Sequence, residues 1–135
     1  RSTLFPYTTL FRSGRRAWFP QPPALERWRE VYMATARANG GEPDAGSRLL
    51  SWARAAGLRE VEPSASTWCY ATPELRSWWG GTWAERCLTS FGPRAVELGL
   101  TSAAELEEMA EAWRQWAAAP DGWYVVVHGE ILARP

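Results

Sequence analysis

The sequence predicts an α/β domain that is incomplete by itself, and three observations carry that expectation. About five segments show helical apolar spacing or helix-start signals, and two runs read as strands. The last run, Trp123–His128, is β-branched and nearly continuously apolar, the pattern of a strand covered on both faces. Two strands of that kind do not close a sheet alone, so further strands are expected from sequence outside this chain.

The elements follow in order. Gly14–Pro23 reads as a loop or strand end, because Trp18-Phe19-Pro20 is followed by Pro22-Pro23. Pro23 suits the first turn of a helix reaching about Asn39, with Leu25, Trp28, Val31, Tyr32 and Ala36 on one face. Gly40-Gly41 stops it. Asp44 is placed to cap a second helix through Leu49, Leu50, Trp52 and Ala53 to Gly57. A strand is then expected over Ser64–Ala71, with Trp68 and Tyr70 on one face and Pro63 marking a bulge or an edge.

Thr72-Pro73-Glu74 starts a third helix by three independent signals: a hydroxyl cap, a first-turn proline and an acid at the positive end of the dipole. It carries Leu75, Trp78, Trp79 and Trp83 toward Ser90, although Gly80-Gly81 weakens its middle. A short helix over Pro93–Leu98 ends at Gly99. Ser102-Ala-Ala-Glu105 is a capping box, and Leu106, Met109, Ala110, Trp113, Trp116 and Ala117 form the stripe behind it. Pro120-Asp121-Gly122 turns the chain into the final strand, which Gly129 interrupts as a candidate bulge.

Composition narrows the function classes. The 15 basic residues are all arginine and balance 15 acids, so no overall field draws the chain to nucleic acid or to an anionic membrane. No apolar run is long enough for a membrane span. Absence of lysine with abundant alanine is a codon bias of GC-rich genomes. Cys69 and Cys87 are far apart and His128 is the single histidine, which gives no metal-ligand set; two scattered cysteines suit a cytoplasmic, reducing setting.

Residues 1–13 differ from the rest, with no acid and no alanine. Thr3 to Ser13 matches, without a mismatch, the translation of a widely used sequencing-adapter primer. The segment is therefore expected to be a non-native tail of metagenomic sequencing origin, leaving 14–135 as the native portion. That portion holds 13 arginines against 15 acids, a formal charge of −2 (13 − 15), since Arg1 and Arg12 fall in the tail.

Few motifs carry chemistry. Gly40-Gly41 and Gly80-Gly81 lack the spacing of a phosphate or dinucleotide loop. Ser64 and Ser66 have no nucleophile elbow around them. His128 reads either as a structural histidine or as a general base. Glu105, Glu107, Glu108 and Glu111 read as the solvated face of a helix. The remaining cluster is Trp68, Tyr70, Trp78, Trp79 and Trp83, spanning a strand end and the helix after it, where an α/β sheet can place a ligand crevice. Packing of that helix on the sheet is the alternative role for the same rings.

From Trp28 onward the chain resembles the C-terminal part of class I S-adenosylmethionine-dependent methyltransferases, in the small-molecule branch related to quinone biosynthesis and in an actinobacterial style. The residues that carry the resemblance are Gly40-Gly41-Glu42-Pro43-Asp44-Ala45-Gly46, Arg48-Leu49-Leu50 and Ala55-Ala56-Gly57-Leu58-Arg59-Glu60-Val61. Trp68–Glu74, Trp78-Trp79-Gly80-Gly81 and His128-Gly129-Glu130-Ile131-Leu132 fit the same branch.

The resemblance implies a Rossmann-like seven-stranded sheet whose last strand lies between two others, with residues 73–119 as a helical insertion between the last two strands. It implies S-adenosylmethionine as cofactor, but the glycine-rich loop and ribose-binding acid would lie upstream, so no cofactor-binding residue is assigned and the chain alone is expected to be inactive. It also implies a small, apolar or aromatic methyl acceptor against a wall of Trp18, Phe19, Trp68, Trp78 and Trp79. No catalytic residue is assigned. The other class of reading is a helical ligand-binding or protein-interaction module with an aromatic-rich surface.

Overall fold

A computed structural model describes residues 12–134. Its elements run β1 (Arg12–Phe19), α1 (Pro23–Ala38), a single 3₁₀ turn (Ala45–Ser47), α2 (Leu49–Ala55), β2 (Glu60–Tyr70), α3 (Pro73–Leu88), α4 (Phe91–Glu97), α5 (Ala103–Ala118) and β3 (Trp123–Arg134). This mixture of helices and sheet is compatible with the α/β class. The adapter-like tail lies outside the described residues as far as Phe11, and its last two residues open β1.

Among the described residues the five α-helices agree with expectation, but three strands are present rather than two. The segment from Gly14, expected as a loop or a strand end, is a strand as far as Phe19, and the prolines interrupt the chain only after that. The strands form one sheet in the order β1-β3-β2, which makes β3 the middle strand. Trp68 faces His128, and Ser66 reaches Glu130; these pairings step in opposite directions, so β2 and β3 are antiparallel. Burial along β3 alternates rather than running on both faces: Tyr124, Val126 and His128 are buried, while Val125 and Val127 are half-buried.

The chain divides into two compact units, and each strand passes from one to the other. The helical unit spans Ala17–Gly41 and Cys69–Val125. Its helices begin where local chemistry places them. Thr72 Oγ1 accepts from the Leu75 N–H at 3.3 Å, and Ser102 Oγ accepts from the Glu105 N–H at 3.2 Å. Its core is aromatic: Trp28 meets Trp83 and Trp113 edge-on at 4.7 and 4.8 Å, and Trp113 contacts Tyr124 at 5.7 Å. Rings in such edge-to-face contacts gain beyond their buried area. Gly80 lets α3 and α5 approach, since a Cβ there would stand 2.7 Å from Ala117 Cβ and 2.8 Å from the Trp113 carbonyl oxygen. Arg76 clamps the same pair of helices, donating to the carbonyls of Ala71 and Ala117.

The strand-rich unit comprises Glu42–Trp68 with the start of β1 and the end of β3. Asp44 does not cap α2. A 3₁₀ turn intervenes, and the Asp44 N–H is itself held by Glu42 Oε1 at 3.0 Å. Gly129 is not where β3 ends, for the strand continues to Arg134. Glycine is needed there for close approach, because a Cβ would come within 2.1 Å of the Gly46 carbonyl oxygen.

Candidate functional site

Strand alternation decides the first two aromatic candidates. In the helical unit Trp18 turns inward, 4% exposed, and stacks on Tyr124 at 5.8 Å, with the Arg29 guanidinium 5.8 Å from its ring. Phe19 turns outward and is 55% exposed, while its carbonyl accepts from Trp116 Nε1 at 3.0 Å. The next pair splits by helical geometry. Trp79 points into the core and stacks on Tyr70 at 4.1 Å, whereas its neighbour Trp78 is 58% exposed. Trp78 still keeps one edge near Tyr70 and Trp79, each at 5.9 Å.

Trp68 belongs to the strand-rich unit, where it is 41% exposed and lies over the His128 ring at 4.2 Å. His128 itself is 1% exposed. Of the five expected acceptor-wall residues, then, Phe19, Trp68 and Trp78 present ring surface, and Trp18 and Trp79 are core.

The acidic residues on α5 part company. Glu107, Glu108 and Glu111 are exposed. Glu105 is half-buried and accepts from Thr101 Oγ1 at 2.8 Å and from Arg27 Nε at 3.3 Å. These bonds, Thr101 first and Arg27 next, hold its carboxyl below the ordinary glutamate value of 4.5. Arg27 also donates to the Leu100 carbonyl at 2.8 Å, so one guanidinium joins α1 to the start of α5. Among the described residues no group of three or more His, Cys, Asp or Glu could hold a metal ion. Cys69 is exposed; burial pushes the Cys87 thiol up to about 12.

Grooves in the helical unit lie elsewhere. One of about 540 Å³ is bounded by Pro22, Pro23 and Ala24 with Glu107, Glu111 and Arg114. Another of about 350 Å³ is bounded by Pro20–Pro22 with Ala112, Gln115 and Trp116. None of the five expected aromatic residues lines either of them. A polar trio escaped sequence reasoning: Ser64 and Ser66 on β2 both donate to the carboxylate of Glu130 on β3. The alternation Ser64, Ser66, Trp68 was the signal available, since it puts all three on one face of a strand.

Comparison with known proteins adds a relative. The chain is 31% identical over 106 residues to an uncharacterized methyltransferase of Schizosaccharomyces pombe. The match takes in 76% of this chain and 38% of that protein, so the chain spans well under half the length of the relative. No family model matches the chain. No helix among the described residues is long and apolar enough to cross a membrane.

Proposed function

We propose that this chain is the acceptor-side, C-terminal portion of an S-adenosylmethionine-dependent methyltransferase acting on a small apolar or aromatic acceptor, and that it is inactive alone. The observation that carries the reading is the similarity over 106 residues to a methyltransferase more than twice as long. The element order supports it too, with three helices between the last two strands and the final strand in the middle of the sheet.

The described residues do not fit the cofactor. A nucleotide-type cofactor is ordinarily held by a glycine-rich turn leading from a strand into a helix N-terminus. Here β1 leads to α1 through Pro20-Gln21-Pro22, and β2 leads to α3 through Ala71-Thr72. Neither turn has glycine, and prolines withdraw backbone donors from the first. The acceptor role falls on the exposed rings: Phe19 and Trp78 in the helical unit and, separately, Trp68 in the strand-rich unit. Trp18 and Trp79 support their neighbours from the core. The acceptor's apolar body would gain on the order of 25 cal/mol for each Å² of surface removed from water.

Calorimetry of the chain with S-adenosylmethionine should give no binding heat, and tight binding would place the cofactor site within residues 1–135. The parent reading is tested by the gene upstream of Gly14. A strand followed by a glycine-rich loop, roughly a hundred residues earlier, is the expected result. A start codon directly before Gly14 would remove the methyltransferase assignment.

A further inference from the structure

We infer that the face of β2 and β3 carrying Trp68, Ser66, Ser64 and Glu130 is a binding strip for an organic ammonium ion with a planar or apolar body. The inference rests on the strand-rich unit alone and stands whether or not the chain derives from a methyltransferase. Ser64, Ser66 and Trp68 are two residues apart along β2, so their side chains leave one face of the strand. The antiparallel register sets Trp68 opposite His128 and Ser66 opposite Glu130. Trp68 and Glu130 are diagonal neighbours in that register, with backbones about 7–8 Å apart, within the span of one small aralkyl amine.

Each component has a defined state. Glu130 is half-buried, and its two carboxylate oxygens are held from one side: Ser64 Oγ donates to Oε2 at 3.3 Å, and Ser66 Oγ donates to Oε1. Two hydroxyl donors fix the carboxylate's orientation without neutralising its charge. Among the described residues no arginine forms an ion pair with it, although this chain has no shortage of arginine. Trp68 is backed by the buried His128 ring at 4.2 Å, which holds the indole in place while 41% of the residue remains exposed.

An indole face attracts a cation through its quadrupole, and an ordered carboxylate accepts charge-assisted hydrogen bonds from an ammonium. A neutral alcohol would gain from the indole and could donate one hydrogen bond to Glu130, without the charge attraction. An anion would be repelled by Glu130. The combination therefore selects an ammonium whose head reaches Glu130 while its body lies on Trp68.

The probes are 2-phenylethylammonium and 2-phenylethanol, matched in body and differing in charge. The readout is the indole Nε1–H resonance of Trp68 in the full chain, identified by its loss in Trp68→Phe. The ammonium should shift this resonance with about tenfold higher affinity than the alcohol, as two weak exposed charge interactions allow. Glu130→Gln keeps the shape and an acceptor oxygen, and should remove the preference by lowering the ammonium's affinity far more than the alcohol's. Raising salt from 0.15 to about 1 M should erase most of the preference in the unmodified chain, which needs no variant to fold. Equal affinity for the two probes, a preference insensitive to salt or to Glu130→Gln, or no shift at Trp68 up to about 50 mM ligand would each overturn the strip.

Discussion

Trp113 shows how much of this chain's stability one residue can carry. It is fully buried, edge-on to Trp28 at 4.8 Å and to Trp116 at 5.5 Å, and near-parallel to Trp83 at 6.2 Å. Trp113→Ala should cost about 3–5 kcal/mol, read as a lowered urea midpoint, and a loss under about 1 kcal/mol would mean that the core refills the space. The two thiols give a second test at this scale. Cys69 is exposed, while Cys87 is fully buried with its thiol held near 12. One equivalent should react with a disulfide reagent under native conditions and the second only after unfolding; fast release of both would contradict the packing around Cys87. Glu105 supplies a pH dependence. Its carboxyl is lowered by Thr101 and then Arg27, so the folded state favours the ionised form. That contribution is present above the unfolded value near 4.5 and is lost as pH falls through the lower folded value. Glu105→Gln should therefore lose less stability than the unmodified chain between pH 7 and about 3.5, measured by urea midpoints at the two pH values.

At the scale of elements, Gly80 and Gly81 look alike in sequence and do opposite things. Gly80 sits where α3 meets α5, and an added methyl would collide with Ala117 and the Trp113 carbonyl. Nothing stands within 4 Å of a Cβ at Gly81. Gly80→Ala should destabilise by about 1–3 kcal/mol, whereas Gly81→Ala should stabilise by about 0.5–1 kcal/mol through helix propensity. Thermal midpoints moving in the same direction for both would show that α3 and α5 are not packed as described. The expectation that Gly80-Gly81 weakens the helix did not include the close approach at Gly80, because that depends on a partner helix more than thirty residues away in sequence. The caps were legible for the converse reason. Thr72 and Ser102 bond to N–H groups three residues on, so the pattern and its partner lie in one short window. Asp44 is also a capping residue type but does not cap α2, since a 3₁₀ turn over Ala45–Ser47 stands between it and the helix. β1 was legible only as one alternative, a strand end, because prolines at 20, 22 and 23 also read as a loop, while the strand they follow is complete by Phe19. Helical spacing separates the two adjacent tryptophans of α3: Trp78 shares a face with Glu74, Thr82 and Glu85, whereas Trp79 shares one with Trp83 and Cys87 and packs on Tyr70.

Across the whole molecule, apolar burial is unevenly shared. The helical unit buries Trp28, Trp79, Trp83, Leu106, Met109, Trp113, Trp116 and Tyr124, each 4% exposed or less. The strand-rich unit buries small or few side chains, chiefly Ala45, Leu49, Ala53, Val126 and His128, and most of β2 is exposed along its length. Local opening free energy rises with buried apolar contact, so the two units should open independently of any ligand and to different extents. Backbone amides in the middle of α3 and α5 should exchange with solvent at least about tenfold more slowly than those of Val61–Thr67 in β2. The candidate surfaces inherit this difference. Phe19 and Trp78 rise from the well-packed unit and can offer a pre-shaped apolar face, whereas Trp68 and Glu130 sit in the unit expected to open more readily. A ligand that engages Trp68 and Glu130 should then slow exchange along β2 and leave the α5 core amides unchanged, as binding to one locally opening unit requires. Hydrogen exchange with and without 2-phenylethylammonium measures this directly. Protection appearing in α5 but not in β2 would assign the ammonium to the helical unit, and uniform protection of both units would mean that the chain opens as one body.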